Sequence, residues 1–168
     1  MKKGVIFIEN DKNITLSIVK SRFDEKCTVS SMMLSELYSR LATPVRSTET
    51  LAQYLAAPKS KRDNLKDVGG FIGGKMFNGI RKAGYVQHRD LITLDMDSIP
   101  AGQTEAVTNR LLSLGVSVCV YSTRKHSPDA PRLRAILPQS RTDTADEYEP
   151  VARKVAQIIS LEMLWYDR

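Results

Sequence analysis

Apolar positions along the chain recur at two spacings, and the switches between them mark the elements. Val5 to Ile8 and Ile14 to Val19 are β-rich runs separated by the polar Asn10-Asp11-Lys12-Asn13, which predicts a hairpin. Met33, Leu34, Leu37 and Leu41 fall at helical spacing, so a helix is predicted from Ser30 or Ser31 until Pro44 stops it. A second helix, capped by Ser47, carries Leu51, Tyr54 and Leu55 on its apolar side and ends at Pro58. Lys59 to Asp67 is polar enough to be a short helix or a loop. Leu91-Ile92-Thr93-Leu94-Asp95-Met96-Asp97 is an apolar run that climbs into two carboxylates. Gln103 to Leu114 has a helical stripe (Val107, Leu111, Leu114) and a fitting stop at Gly115.

Val116 to Tyr121 is the next strand, and strand-helix-strand with short connections predicts a parallel βαβ unit. Arg132 to Leu137 alternates as an antiparallel strand does, with Arg132 and Arg134 on one face. Thr144-Ala145-Asp146-Glu147 matches a capping box. Pro150 predicts a turn first and a main helix from about Glu149, with Val151, Val155, Ile158 and Ile159 buried. The apolar tail Leu161 to Arg168 reads as a further strand. The whole describes one α/β domain, with a mixed sheet flanked by helices.

Composition adds little to this picture and charge adds more. With 168 residues, 42% hydrophobic and 26% charged, the chain suits a single soluble domain with a real core. The basic N-terminus has too short an apolar run for a signal peptide, and no run approaches a bilayer span, so a cytoplasmic protein without membrane contact is expected. Cys27 and Cys119 make no disulfide framework, and Cys119 lies in an apolar strand as a free thiol. The net charge of +6 favours a polyanionic partner. Eight Lys or Arg lie between Pro58 and Arg89 against Asp63 and Asp67, and five lie between Tyr121 and Arg141 against Asp129. Basic groups thus flank the acidic strand in sequence, although most charge runs are solvated faces.

The chemistry centres on Asp95 and Asp97. Residues two apart on a strand share a face, and paired carboxylates there suit hard divalent cations. Two carboxylates can bridge two Mg²⁺ or Mn²⁺ ions about 4 Å apart and support in-line displacement at phosphorus. In the βαβ reading, Ser122 ends the strand beside them. The loop that follows carries Arg124, Lys125 and His126, with Arg132 and Arg134 beyond, and arginine forks match phosphate oxygens. Six of the nine glycines lie between Gly69 and Gly84, interleaved with Lys75, Arg81 and Lys82. The run lacks the spacing of a nucleotide-binding loop, and fits a bulged hairpin as well as a phosphate cradle. His88, between Gln87 and Arg89, reads as a surface residue.

Leu94-Asp95-Met96-Asp97, the strand ending Tyr121-Ser122-Thr123, and Lys125 to Pro138 together resemble the primase-polymerase domain of the archaeo-eukaryotic primase superfamily. The resemblance runs from about Ser17 onward and is to the versions carried by bacteriophages and plasmids, where the domain precedes a helicase. It implies a primase-polymerase core with an RRM-like βαβ unit, and a metal-dependent nucleotidyl transferase using a DNA template and nucleoside triphosphates. Asp95 and Asp97 match the acidic pair that binds the metals. The second motif, Ser-x-His, falls on Ser122 with either His126 or, at the stricter spacing, Arg124. Arg132 and Arg134 match the basic strand, and Lys75, Arg81 and Lys82 would lie on template or phosphate. Asp167, after Tyr166, matches the third metal ligand. The segment that normally follows it is absent from this sequence. That leaves two alternatives: a piece of a longer replication protein with its helicase, or a reduced mobile-element derivative that binds DNA or inhibits a host protein. A metal-dependent nuclease also fits paired carboxylates.

Overall fold

A computed structural model of the chain describes residues 7–160. The predicted strand at Val5 to Ile8 in large part, the apolar tail and Asp167 lie outside the described residues. The elements run β1 (Asn13–Val19), β2 (Thr28–Met33), α1 (Leu34–Leu41), α2 (Leu51–Ala56), α3 (Lys59–Leu65), β3 (Gly70–Ile72), β4 (Gly74–Met76), β5 (Val86–Met96), α4 (Thr104–Leu112), β6 (Cys119–Ser122), β7 (Leu133–Asp143) and α5 (Ala145–Ile159). The α/β class holds. Among the described residues, no helix is long and apolar enough to cross a membrane.

The strands form two sheets, ordered β2-β1-β3 and β4-β5-β7-β6, and every described pairing is antiparallel. Among the described residues β1 pairs with β2 on one side and β3 on the other. Ser30 to Met33, predicted as the start of a helix, is extended because these residues pair with Asn13 to Leu16 of β1, and the helix starts at Leu34. Thr50, and not Ser47, caps α2, in a capping box with Gln53, while the Ser47 hydroxyl donates to Glu49. Lys59 to Leu65 is helical.

The β5-α4-β6 crossover has the expected direction but not the expected neighbours. β5 and β6 run the same way, and β7 lies between them, antiparallel to both. Pro138 is tolerated in this central strand because β6 pairs only with Leu133 to Ile136, so at Pro138 only one side of β7 is occupied. Pro150 does not break α5 either. The Thr144–Glu147 capping box starts one continuous helix, and proline removes only the bond that would reach Asp146.

The glycine-rich run is not a hairpin, since β3 pairs with β1 and β4 with β5. Gly73 and Gly74 carry the chain from one sheet to the other hard against β5. A Cβ on Gly74 would sit 2.0 Å from the His88 carbonyl oxygen, and one on Gly73 would sit 2.7 Å from the Leu91 Cβ. The Gly73 carbonyl accepts from the Asp90 and Leu91 amides. These two glycines serve close packing against β5.

The β5–β7 sheet divides two cores. Ile92, Leu94, Met96, Leu133, Ala135 and Leu137 face α4 and α5. Leu91 and Ile136 face the layer of β1, β2 and α1. Tyr38 of α1 pins that layer, its hydroxyl donating to the Ile136 carbonyl at 2.9 Å.

Candidate functional site

Strand register places the acidic pair. Asp95 lies opposite Arg134, and Arg134 lies opposite Tyr121, so the three form one row across β5, β7 and β6. The row continues the face that carries Ile136 and Cys119, which β1, β2 and α1 cover; at Asp95 that face turns polar and opens to solvent. Asp97 follows β5, and its carboxylate is 3.1 Å from the Arg132 guanidinium. β7 and the residue just before it thus present two arginines, two residues apart, to two aspartates, two residues apart.

The pairing is close. Arg134 grips Asp95 with both arms of its fork, Nε to one oxygen and a terminal nitrogen 3.0 Å from the other. That grip on Asp95 is the largest influence holding the Arg134 proton more firmly than usual. Burial pushes the Tyr121 phenol up, although neighbouring Arg134 pulls the other way. Both carboxylates remain about half exposed, at 54% and 52%. Each ion pair is therefore worth no more than about 1 kcal/mol.

His126 is brought to the same end. Its Nδ1 accepts from the Arg132 amide at 3.1 Å, and its own amide donates to the Thr123 carbonyl at 2.9 Å. An accepting Nδ1 puts the ring proton on Nε2, so the loop backbone itself fixes the tautomer. Ser122 closes β6 opposite Leu133 and is exposed; Lys125 is half-buried in the same loop.

Arg124 goes elsewhere. It forms an ion pair with Glu49, donates to the Ser47 hydroxyl at 2.6 Å and to the Leu65 carbonyl at 3.2 Å, and lies 4.7 Å over the Tyr54 ring. Tyr54 is buried at 1% exposure. Arg124 is therefore the clasp that joins the loop after β6 to α2 and the end of α3. Of the two residues open for the second-motif position, only His126 faces Arg132. The link of Glu49 and Tyr54 to Arg124 has no local signal in the sequence, because Arg124 lies about 70 residues beyond them.

Lys75, Arg81 and Lys82 do not join the acidic pair. Lys75 pairs with His88 near the start of β5, and its distance from Asp95 along the strand is on the order of 20 Å. Arg81 donates to the carbonyls of Arg22 and Asp24. His88 is half-buried, not a free surface residue, with Nδ1 3.4 Å from the Asp90 carboxylate.

Donor chemistry decides how well a divalent ion suits this end. Among the described residues there is no cluster of three or more His, Cys, Asp or Glu able to hold a metal. Two accessible carboxylates on one face do fit Mg²⁺, which keeps waters and binds through one or two carboxylates plus substrate phosphates. Asp167, the expected third ligand, lies outside the described residues.

A family model, the VapE N-terminal domain, matches residues 1–167. The chain belongs to the VapE N-terminal domain family. This membership ties it to replication proteins of phages and plasmids, the mobile-element setting expected from sequence. No curated protein and no solved structure matches the chain.

Proposed function

We propose that this VapE N-terminal domain is a nucleotidyl transferase of the primase-polymerase type, joining nucleoside triphosphates on a DNA template in phage or plasmid replication. The observation that carries the proposal is the register of β5 against β7, which sets Asp95 and Asp97 against Arg134 and Arg132 at an open sheet end. In the free domain the four charges cancel. A triphosphate supplies better partners for the arginines, and its accompanying cations supply better partners for the carboxylates. Arg132 and Arg134 then grip phosphate oxygens, and His126 donates from Nε2 to the same group. Asp95 and Asp97 hold Mg²⁺ or Mn²⁺. When bound, the ions neutralise the phosphates and favour deprotonation of the attacking hydroxyl. A helicase region or replication protein is the natural partner for such a domain.

Primer synthesis or extension with Mg²⁺ or Mn²⁺ tests this, comparing wild type with Asp95→Ala/Asp97→Ala. Equal synthesis by the two would end the proposal. The cancelled charges also favour a second reading, a non-catalytic derivative in which the arginine–aspartate pairs simply lock the sheet end. Salt-sensitive DNA binding with no metal-dependent synthesis would support the DNA-binding form, and stoichiometric capture of a host protein the inhibitor form.

A further inference from the structure

The end of the domain remote from Asp95 holds two loops that are bonded into one surface. Lys20 to Cys27 joins β1 to β2, and Phe77 to Tyr85 joins β4 to β5 as two short 3₁₀ turns. The Cys27 amide donates to the Gly79 carbonyl at 2.8 Å, and the Arg81 amide to the Glu25 carbonyl at 2.9 Å. The Arg81 side chain adds a bond to the Arg22 carbonyl at 2.8 Å. Asp67 fixes the first loop from below, accepting from the Ser21 hydroxyl and the Arg22 amide. The surface is thus built, not frayed.

It displays aromatic rings to solvent. Phe23 is 70% exposed, Phe77 53% and Tyr85 37%. Phe23 already has the Arg22 guanidinium 4.5 Å from its ring centre. Phenylalanine this exposed has no role in the core, and the loops that carry these rings are held together by the bonds above.

The surface also holds the chain's charge surplus. Residues 20–26, 59–67 and 75–85 carry ten Lys or Arg against Asp24, Glu25, Asp63 and Asp67, which equals the net +6 of the whole chain. Everything else cancels. Residues 59–67 belong here because Arg22 pairs with Asp63 and bonds Asn64 of α3.

Rings beside unbalanced cations are the chemistry that holds single-stranded nucleic acid, bases on the aromatics and phosphates on the cations. We propose that these two loops, with α3 beside them, form a single-strand anchor whose rings stand apart from the acidic end of β5, α3 being tied at Leu65 to the loop after β6 by Arg124. The ten residues from Tyr85 to Asp95 span about 30 Å. The anchor builds on the nucleic-acid partner of the proposed function but uses none of its site residues except Lys75, Arg81 and Lys82.

Fluorescence anisotropy with labelled oligo-dT and a duplex of equal length tests it. Wild type is expected to prefer the single strand. Phe23→Ala and Phe77→Ala are each expected to weaken it by about tenfold, in line with ~1–3 kcal/mol per stacked base, with unchanged melting because both rings are exposed. Lys82→Ala is expected to flatten the salt dependence. Asp95→Ala/Asp97→Ala is expected to bind oligo-dT at least as tightly as wild type, so loss of synthesis and loss of the anchor are separable. Wild-type affinity in both ring variants, or preference for the duplex, or no binding of oligo-dT, would each overturn the anchor.

Discussion

The two ends of β5 hold basic side chains in opposite company. At the Met96 end, Arg132 and Arg134 each face a carboxylate, and the positive charge written in the sequence is cancelled in space. At the Val86 end, Lys75, Lys82, Lys20 and Lys26 are exposed among aromatic rings. A run of lysine and arginine therefore says little until its partners are known. Of the basic residues downstream of Asp95/Asp97, Arg132 and Arg134 fold back onto that pair, Arg124 onto Glu49 and Arg141 onto Glu147. The upstream run stays unbalanced and lies at the far end.

This contrast can be broken most severely at its acidic end. Asp95→Ala/Asp97→Ala is expected to lower metal-dependent synthesis by at least a hundredfold, which is about 2.7 kcal/mol at 1.36 kcal/mol per decade. It also leaves Arg132 and Arg134 unpaired, so binding of triphosphate without metal is expected to persist or rise; isothermal titration reads this directly. Next in size come the tenfold losses of oligo-dT affinity for Phe23→Ala and Phe77→Ala, which act only at the basic end.

Arg124 sharpens the comparison, because it is a cation of the acidic end's loop that serves the fold. Arg124→Lys keeps the charge and loses the fork and the stacking on Tyr54. It is expected to cost about 1–2 kcal/mol in urea unfolding while leaving oligo-dT affinity unchanged. The smallest effect concerns Glu147. The Arg141 guanidinium, with help from Thr144, pulls its carboxyl from the ordinary 4.5 down to about 2. A carboxyl lowered on folding stabilises the fold above its unfolded value. That contribution is present above about 4.5 and fades as pH falls from there through about 2. Unfolding midpoints measured across that window are expected to fall less steeply in Glu147→Gln than in wild type.

The parts legible in the sequence are those with local signatures. The acidic strand, the direction of β5 and β6, the alternating Arg132–Leu137 strand and the Thr144–Glu147 cap all depend on spacing within one element. The errors arose where a local signal had a competitor elsewhere in the chain. Met32 and Met33 resemble the start of a helix, but Thr28–Met33 pairs with β1. Gly73 and Gly74 resembled a flexible hairpin, and their purpose depends on how closely β5 passes. The position of β7 between β5 and β6 and the Arg124–Glu49 clasp are long-range facts. The exposed rings Phe23 and Phe77 left a faint trace, each sitting among polar neighbours on at least one side, and passed unnoticed.

The insertion of β7 has a consequence for how the domain is made. The strand that supplies Arg132 and Arg134 is central in its sheet yet is the last described strand to leave the ribosome. At 5–20 residues per second, roughly 40 residues of synthesis separate Asp95 from Arg134, a delay of about 2–8 s. During that interval β5 and β6 exist without the strand that joins them, and the two aspartates repel each other without a counter-charge. Synthesis of β7 brings both the strand that joins β5 to β6 and the counter-charge for the acidic pair, so a nascent chain stalled before β7 carries the other described strands and lacks the site.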